Sequence, residues 1–201
     1  METKVAAVSM RGVTKTFGAV IANEDVDLDI YKGEILALLG ENGSGKTTLM
    51  NMLSGIYFPD QGQIMINGQN VVIASPKDAL NLGIGMVHQH FKLVSNYTIA
   101  ENIVMGMEPV KKVLGCIPVV DMKKANQDIR ELSEKYGLAV NPTDVISDIN
   151  VSTQQRVEIL KMLYREAEIL IFDDSFSALD YKTDTVLRSA LKEKTTDSVV
   201  L

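Results

Sequence analysis

Residues 40–47 read Gly-Glu-Asn-Gly-Ser-Gly-Lys-Thr and fit the pattern G-x-x-x-x-G-K-[ST], in which a glycine-rich loop precedes a lysine and a hydroxyl residue. The apolar run Ile-Leu-Ala-Leu-Leu at 35–39 lies just before the loop and predicts a strand that is buried on both faces. The residues that follow the loop have helical character. A glycine-rich loop between a buried strand and a helix predicts an α/β fold that binds phosphate groups at this loop.

Each part of this loop has a physical role in holding phosphate. Glycines let consecutive backbone N–H groups turn inward around a polyphosphate, and the following helix directs its positive end to the same place. We expect Lys46 to reach the β- and γ-phosphate oxygens and Thr47 to coordinate Mg²⁺. The predicted nucleotide-binding residues of the loop are Gly40, Glu41, Asn42, Gly43, Ser44, Gly45, Lys46, Thr47 and Thr48.

A second signal is the sequence Ile-Leu-Ile-Phe-Asp at 169–173, which predicts a buried strand that ends in a carboxylate. Asp173 can hold Mg²⁺, often through water, opposite a phosphate loop. This pattern alone is a weak indication of a metal site. It becomes a strong one because it follows the loop at 40–47 in the order and at the distance along the chain expected for a nucleotide site.

The rest of the chain predicts an antiparallel β part near the N-terminus, a mostly parallel sheet and a helical insertion at about 98–160. Alternating residues indicate strands, whereas capping residues mark the helix starts. The expected strands and hairpin lie at 5–15, 26–31, 60–73 (turning at Asn67 and Gly68) and 84–87, and the helices begin near Ser75, Thr98, Asp121, Ser152 and Lys182. We expect residues 107–120 to be irregular, since they contain Pro109, Gly115 and Pro118.

The composition excludes several function classes. A chain of 201 residues, 46% of them hydrophobic, has room for one sizeable core. The net charge of −6, without a basic stripe, argues against a nucleic-acid binder. No apolar run reaches the roughly 18–20 residues of a membrane span. Cys116 is the single cysteine, so it cannot form an internal disulfide, and a reducing compartment fits.

These motifs resemble the ATP-binding subunit of an ABC transporter over nearly the whole chain. After the phosphate loop, Gln89 follows the strand at 84–87 as in the family's Q-loop, and residues 151–160 stand where the family has its signature helix. The resemblance implies that Phe17 stacks on adenine, that Gln89 and Asp173 join Thr47 at Mg²⁺, and that Asp174 or Gln89 positions the attacking water. The implied signature residues are Asn150, Val151, Ser152, Thr153 and Gln154, and the implied D-loop residues are Ser177, Ala178, Leu179 and Asp180.

The resemblance has two parts. Residues 82–103 are similar to the ATPases of simple-sugar and nucleoside importers, and the sequence Val-Glu-Ile-Leu-Lys-Met-Leu-Tyr from position 157 agrees with them. Residues 171–184 are more similar to the ATPase domain of an ABC multidrug exporter.

The chain also departs from the family pattern. Asn150 and Ser152 replace a serine and a glycine of the signature, so we expect weaker contact with ATP across a dimer. Asp174 stands where active members have glutamate. Because aspartate is one methylene shorter, we expect its carboxylate to fall about 1 Å short of the position that the glutamate carboxylate takes. A misplacement of that size costs on the order of 10²-fold in rate. The family's switch histidine is absent, since the only histidines flank Gln89; we expect a C-terminally truncated domain. A metal site on those two histidines is not expected, because they lack a third ligand.

The resemblance therefore implies a single ABC-type ATP-binding domain over 1–201, with ATP and Mg²⁺ as cofactors. The implied partners are transmembrane permease subunits, a second ATP-binding domain in a head-to-tail dimer and an extracytoplasmic solute-binding protein, and the implied location is the cytoplasmic face of the membrane. Three hypotheses remain open: an ATPase that energises import of a sugar or nucleoside, a nucleotide-binding module with little hydrolysis, and a truncated or recombined fragment.

Overall fold

The computed structural model describes residues 5–34, 36–87, 92–113, 116–172 and 199–200. The chain divides into two compact units, of which the first comprises 1–86, 167–173 and 194–201, and the second comprises 87–166 and 174–193. Each unit is described by itself.

An antiparallel sheet of four strands, in the order β2-β1-β3-β4, forms one part of the first unit. The strands are β1 (Ala6–Phe17), β2 (Val20–Tyr31), β3 (Gln61–Ile66) and β4 (Gln69–Val71). The turn between β3 and β4 lies at Asn67 and Gly68, both with positive φ, as the Asn-Gly pair predicts. The predicted antiparallel N-terminal part is therefore confirmed, although β2 begins six residues earlier than expected.

The second sheet of this unit has the order β5-β8-β9. Its strands are β5 (Ile84–Val87), β8 (Ile169–Phe172) and β9 (Val199–Val200), and β8 and β9 are parallel. The described residues of this unit also form the helices α1 (Lys46–Leu53) and α2 (Pro76–Asn81), the latter capped by Ser75 as predicted. The apolar sides of these elements share one core, which includes Val8, Met10, Ile30, Met52, Leu53, Ile64, Ile84 and Ile171.

The predicted buried strand at 35–39 is wrong for the residues that the structure describes there. Residues 36–40 are not in a strand, and Leu39 is 93% exposed, whereas Leu36 and Leu38 pack against the core. A strand buried on both faces needs a neighbour along each edge. In the described part of the chain, β8 lies between β5 and β9, and the 36–40 segment is not part of that sheet.

Helices dominate the described residues of the second unit, in agreement with the predicted insertion. Thr98 and Glu101 form the predicted capping box of α3, Asp121 caps α4 and Asn150 caps α5. Among the described residues, none of the helices combines the length and the apolar character that a membrane crossing requires. The elements are α3 (Ile99–Val104), β6 (Val110–Val113), β7 (Ile117–Val120), α4 (Met122–Lys135), a 3-10 turn (Ile146–Asp148) and α5 (Val151–Tyr164).

Within the segment predicted to be irregular, 107–120, residues 110–113 and 117–120 instead form the paired antiparallel strands β6 and β7. Pro118 lies opposite Lys112, a position that proline tolerates because each strand of a two-stranded ribbon has a free edge. The described side chains of both strands are exposed, so the hairpin lacks the apolar alternation by which a half-buried strand is recognised.

A buried amide holds the loop before α3. Asn102 is 1% exposed; its Oδ1 accepts from the Val94 N–H at 2.7 Å, and its Nδ2 donates to the carbonyl oxygens of Val94 at 3.1 Å and Thr98 at 3.0 Å. The loop is also joined to the segment before α5, since the Ile146 N–H donates to the Tyr97 carbonyl at 3.0 Å. The start of α3 is therefore fixed by side-chain and backbone contacts together.

Asn102→Ala is expected to lower the free energy of unfolding by about 2–4 kcal/mol, because three hydrogen bonds are lost and the Val94 backbone groups lose a partner. The measurement is denaturant-induced unfolding at one temperature. Asn70→Ala is the matched control, since Asn70 is exposed and its amide donates to Gln63 Oε1 at 2.8 Å on the surface. Equal losses for the two variants would contradict the prediction.

Candidate functional site

The phosphate loop, residues 40–47, is an open turn that leads into α1. Gly43 and Gly45 have φ values of 84° and 85°, a left-handed conformation that favours glycine. The Ser44 N–H donates to the Glu41 carbonyl at 3.2 Å and closes the turn. Gly45 is the N-cap of α1 and carries no side chain that could accept from the first-turn N–H groups. Residues 41–44 are exposed, so the loop is accessible to a ligand.

Gly45 lies directly against β2. A Cβ atom at this position would be 2.3 Å from the Ala22 carbonyl oxygen and 2.7 Å from Asn23 Nδ2. The Asn23 amide donates to the Gly45 carbonyl at 3.3 Å, and Asn23 is only 9% exposed. Its Oδ1 is buried without a hydrogen-bond partner in the described part of the chain. The sequence gives no local signal for this contact, because Asn23 lies 22 residues before Gly45.

Lys46 bends back over the loop that precedes it. Its Nζ donates to the carbonyl oxygens of Gly40 and Glu41, both at 2.8 Å, and to Ser44 Oγ at 3.3 Å. The acceptors are neutral, so phosphate oxygens would form stronger, charge-assisted hydrogen bonds with the same ammonium. The geometry therefore holds the lysine ammonium at the loop, and its predicted contact with phosphate oxygens stays a prediction.

Phe17, the predicted adenine-stacking residue, is the last residue of β1 and is 43% exposed. Phe17 pairs with Val20 across the β1–β2 hairpin. Lys15 lies two residues earlier in β1 and pairs with Asn23, which is the residue that contacts Gly45. Two residues of a strand span about 7 Å, so the hairpin brings an exposed aromatic ring to the neighbourhood of the phosphate loop.

Asp60 anchors the end of β1 that carries Phe17. Its carboxylate accepts from Lys15 Nζ at 2.7 Å, from the Thr16 N–H at 2.7 Å and from Thr16 Oγ1 at 2.8 Å. These contacts, the Lys15 hydrogen bond first, lower the pKa of Asp60 from 3.8 to about 2. The sequence analysis missed Asp60 because its partners lie more than forty residues away.

Gln89, Asp173 and Asp174, which are predicted for the metal and water sites, lie outside the described residues. The predicted D-loop residues Ser177, Ala178, Leu179 and Asp180 lie outside them too, as do His88 and His90. The buried strand β8 is confirmed and ends at Phe172, immediately before Asp173. Of the predicted Mg²⁺ ligands, Thr47 is described, as an exposed residue in the first turn of α1. Within the described ranges, no three His, Cys, Asp or Glu residues are grouped as a metal site.

The predicted signature residues form the start of α5. Asn150 Oδ1 accepts from the Thr153 N–H at 2.8 Å and from Thr153 Oγ1 at 3.0 Å, so its side chain caps the helix. Gln154 Nε2 donates to the carbonyls of Ile146 and Ile149, both at 3.3 Å, and holds the preceding turn. Val151 is 57% exposed, and Ser152 is half-buried.

A buried carboxylate of α5 contacts the segment that follows residues 88–91. Glu158 is 5% exposed, and its Oε1 accepts from the Lys92 N–H at 2.9 Å. One turn further along α5, the pKa of Lys161 is lowered, mainly by burial of its ammonium. The negative charge of Glu158 opposes part of this lowering. Sequence reasoning did not select Glu158, although an acidic residue within an apolar helical run is a signal of a buried polar contact.

Gly45→Ala is expected to destabilise the loop more than Gly43→Ala. Both substitutions place alanine at a positive φ, which costs about 1–2 kcal/mol. A Cβ at Gly45 also meets the β2 backbone, which adds about 1–3 kcal/mol, whereas nothing lies within 4 Å of a Cβ at Gly43. Denaturant unfolding and ATP titration of the two variants measure the difference. Equal effects would contradict the inferred contact with β2.

The Asp60 carboxyl is expected to titrate near pH 2 in the folded protein, below its ordinary value of 3.8. A lowered pKa means that the carboxylate's stabilising contribution is complete above pH 3.8 and is lost as the pH falls through about 2. Carboxyl carbon NMR of Asp60 against pH measures this directly. Titration at 3.8 would show that the contacts with Lys15 and Thr16 do not persist in solution.

The fold has many solved neighbours. A nucleotide-free ATP-binding cassette from an ABC transporter superposes with a TM-score of 0.80 at 18% identity, covering 97% of this chain and 79% of that one. A dimeric bacterial ABC transporter cassette superposes with a TM-score of 0.79 at 24% identity, covering 96% and 86%. At these identities the likeness shows the fold, which is the predicted α/β P-loop NTPase fold.

Curated relatives have higher sequence identity to this chain than these solved structures. The guanosine import ATP-binding protein NupO of Bacillus subtilis is 49% identical over 86% of this chain, and the nucleoside import ATP-binding protein NupA of Lactococcus lactis is 51% identical over 92%. A ribose import ATP-binding protein of Rubrobacter xylanophilus is 43% identical over 85%. The chain spans about a third of the length of these relatives, between 33% and 36%.

The family model described as ABC transporter matches residues 23–177, which include the phosphate loop, α5 and β8. The match begins at the residue that contacts Gly45 and ends within the predicted D-loop. Together with the importer relatives, it confirms the resemblance of the body of the chain. This chain is therefore an ATP-binding domain of the ABC transporter family.

Proposed function

We propose that this chain is the ATP-binding part of an ABC importer and couples ATP binding and hydrolysis to the uptake of a nucleoside or a sugar. The observation that carries the proposal is the phosphate loop, where Lys46 Nζ lies 2.8 Å from two loop carbonyls at the start of α1. Relatives that are 43–51% identical to this chain are import ATP-binding proteins for guanosine, nucleosides and ribose, which supports import over export.

In this proposal the loop binds the phosphates of ATP. The backbone N–H groups of 40–48 and the Lys46 ammonium hold the phosphate oxygens, while Phe17 supports the adenine ring. Thr47, Asp173 and Gln89 supply oxygen ligands of the kind that Mg²⁺ prefers, and bound Mg²⁺ would neutralise developing charge on the phosphates. Asp174 or Gln89 orients the attacking water.

The proposed assembly follows from the same family. Residues 1–201 form one ABC-type ATP-binding domain with a helical insertion at about 98–160, and it pairs head-to-tail with a second ATP-binding domain. Its further partners are transmembrane permease subunits and a solute-binding protein outside the membrane, so its place is the cytoplasmic face. The signature residues 150–154 contact the ATP that is bound to the other domain.

A second candidate is a nucleotide-binding module that hydrolyses ATP slowly. It is favoured by Asp174 in the place of glutamate and by Asn150 and Ser152 in the signature. The Asn150 side chain is already engaged in capping α5, so its carboxamide has a fixed orientation at the helix start. The exporter-like sequence at 171–184 suits such a weak site.

Lys46→Ala is expected to weaken ATP binding at least tenfold, because a hydrogen bond to a charged group contributes about 1.5–3 kcal/mol and tenfold corresponds to about 1.4 kcal/mol. Titration with ATP and Mg²⁺, followed by a phosphate-release assay, measures binding and hydrolysis. Lys112→Ala, which removes an exposed lysine of the β6–β7 hairpin, is the matched control.

The same assays separate the candidates. Phosphate release that depends on Lys46 supports the ATPase, whereas ATP binding with background release in wild type supports the binding module. In the second case Asp174→Glu should raise turnover. Absence of ATP binding by the wild-type chain contradicts both candidates.

A further inference from the structure

Two neighbours fix the exposed ring of Phe17. Its centroid lies 5.0 Å from that of Tyr57 at an interplanar angle of 70°, an edge-to-face arrangement that attracts aromatic rings. Lys15 Nζ lies 5.5 Å from the Phe17 centroid, within range of a cation–π contact. Because these contacts still leave Phe17 43% exposed, the ring is both held and accessible.

Asp60 contacts two residues of β1 that lie next to Phe17 in the sequence or over its ring, namely Thr16 and Lys15. The Lys15 side chain is only 15% exposed, and its ammonium is paired with Asp60 at 2.7 Å. The same carboxylate accepts from the Thr16 N–H, so the backbone directly before Phe17 is fixed too. The Asp60 N–H in turn donates to the Thr14 carbonyl at 2.9 Å. One residue therefore fixes both the cation over the ring and the chain that carries the ring.

Tyr57 connects the ring to the helix of the phosphate loop. The N–H groups of Ile56 and Tyr57 donate to the Asn51 carbonyl at 2.9 and 3.1 Å, in the last turn of α1. α1 begins at Lys46 and, with eight residues, is about 12 Å long. The helix thus starts at the phosphate loop and ends at the turn that carries Tyr57, so it links the two regions in one rigid element.

We propose that Lys15, Tyr57 and Asp60 are positioning residues that hold Phe17 as the base-binding surface of the nucleotide site. The inference rests on the proposed function, in which Phe17 supports the adenine ring, and adds which residues of this chain hold that ring in place. A surface that is fixed before the ligand arrives loses little conformational freedom on binding, and this preorganisation raises affinity. The three residues act on the base and not on the phosphates, because their contacts converge on Phe17.

The test compares ATP with inorganic tripolyphosphate, which has the phosphates but no base. Tyr57→Ala and Lys15→Met are expected to weaken ATP binding about threefold to tenfold and to leave tripolyphosphate binding as in wild type. Asp60→Asn should act in the same direction, because the amide cannot hold the Lys15 ammonium as an ion pair. Tyr57→Phe should retain the affinity for ATP, since the ring and not the hydroxyl makes the contact.

Two variants serve as matched controls. Tyr97→Ala removes an exposed tyrosine of the second unit, and Lys112→Met removes an exposed lysine there; neither should change the affinity for ATP relative to tripolyphosphate. Denaturant unfolding of each variant verifies that the protein is folded during the titrations. Rescue by Tyr57→Phe identifies the ring contact as the cause of any loss in Tyr57→Ala.

Two results would overturn the inference. The first is an unchanged ATP affinity in both Tyr57→Ala and Lys15→Met, and the second is an equal loss for ATP and tripolyphosphate, which would indicate a general structural role. In either case a strong effect of Lys46→Ala on both ligands leaves the proposed function intact. If Lys46→Ala has no effect on ATP binding, the proposed function itself fails.

Discussion

The close approach of Gly45 to β2 is the constraint on which the phosphate loop depends. A side chain there would meet the Ala22 carbonyl oxygen at 2.3 Å, so only glycine lets the loop lie against the strand. The positive φ of Gly45 also turns the chain into α1, whose first residue is Lys46. One backbone contact therefore sets the position of the loop, the direction of the helix and the place from which the lysine extends.

The remaining parts of the site are arranged around that contact. Asn23, on the strand that Gly45 touches, donates to the Gly45 carbonyl and pairs across the hairpin with Lys15. Lys15 reaches Asp60 and lies over Phe17, and Tyr57 joins Phe17 to the far end of α1. The phosphate loop and the aromatic ring are thus connected both through the β1–β2 hairpin and through the helix. In the proposed function, the loop holds the phosphates of a nucleotide and the aromatic ring supports its base.

Local sequence signals predicted the features that depend on neighbouring residues. The glycine-lysine pattern at 40–47, the capping box of Thr98 and Glu101, and the Asn67-Gly68 turn each act through hydrogen bonds or φ values within a few residues. Relatives and the family model confirmed the family that the motifs indicated. The roles of Gln89, Asp173 and Asp174 stay predictions.

Features that depend on distant residues escaped the sequence analysis. Apolar composition alone predicted a buried strand at 35–39, but burial needs neighbouring strands, and Leu39 is exposed. Proline and glycine suggested an irregular 107–120 segment, whereas the pairing of β6 with β7 accommodates Pro118. By itself the sequence determined the phosphate loop, the helix caps and the family, because these depend on residue types that lie within a few positions of one another in the chain. Only the tertiary structure decided that Asn23 contacts Gly45, that Tyr57 contacts Phe17 and that Asp60 contacts Lys15. Hydrogen bonds and ring contacts across 22 to 45 residues exist only once the chain has folded.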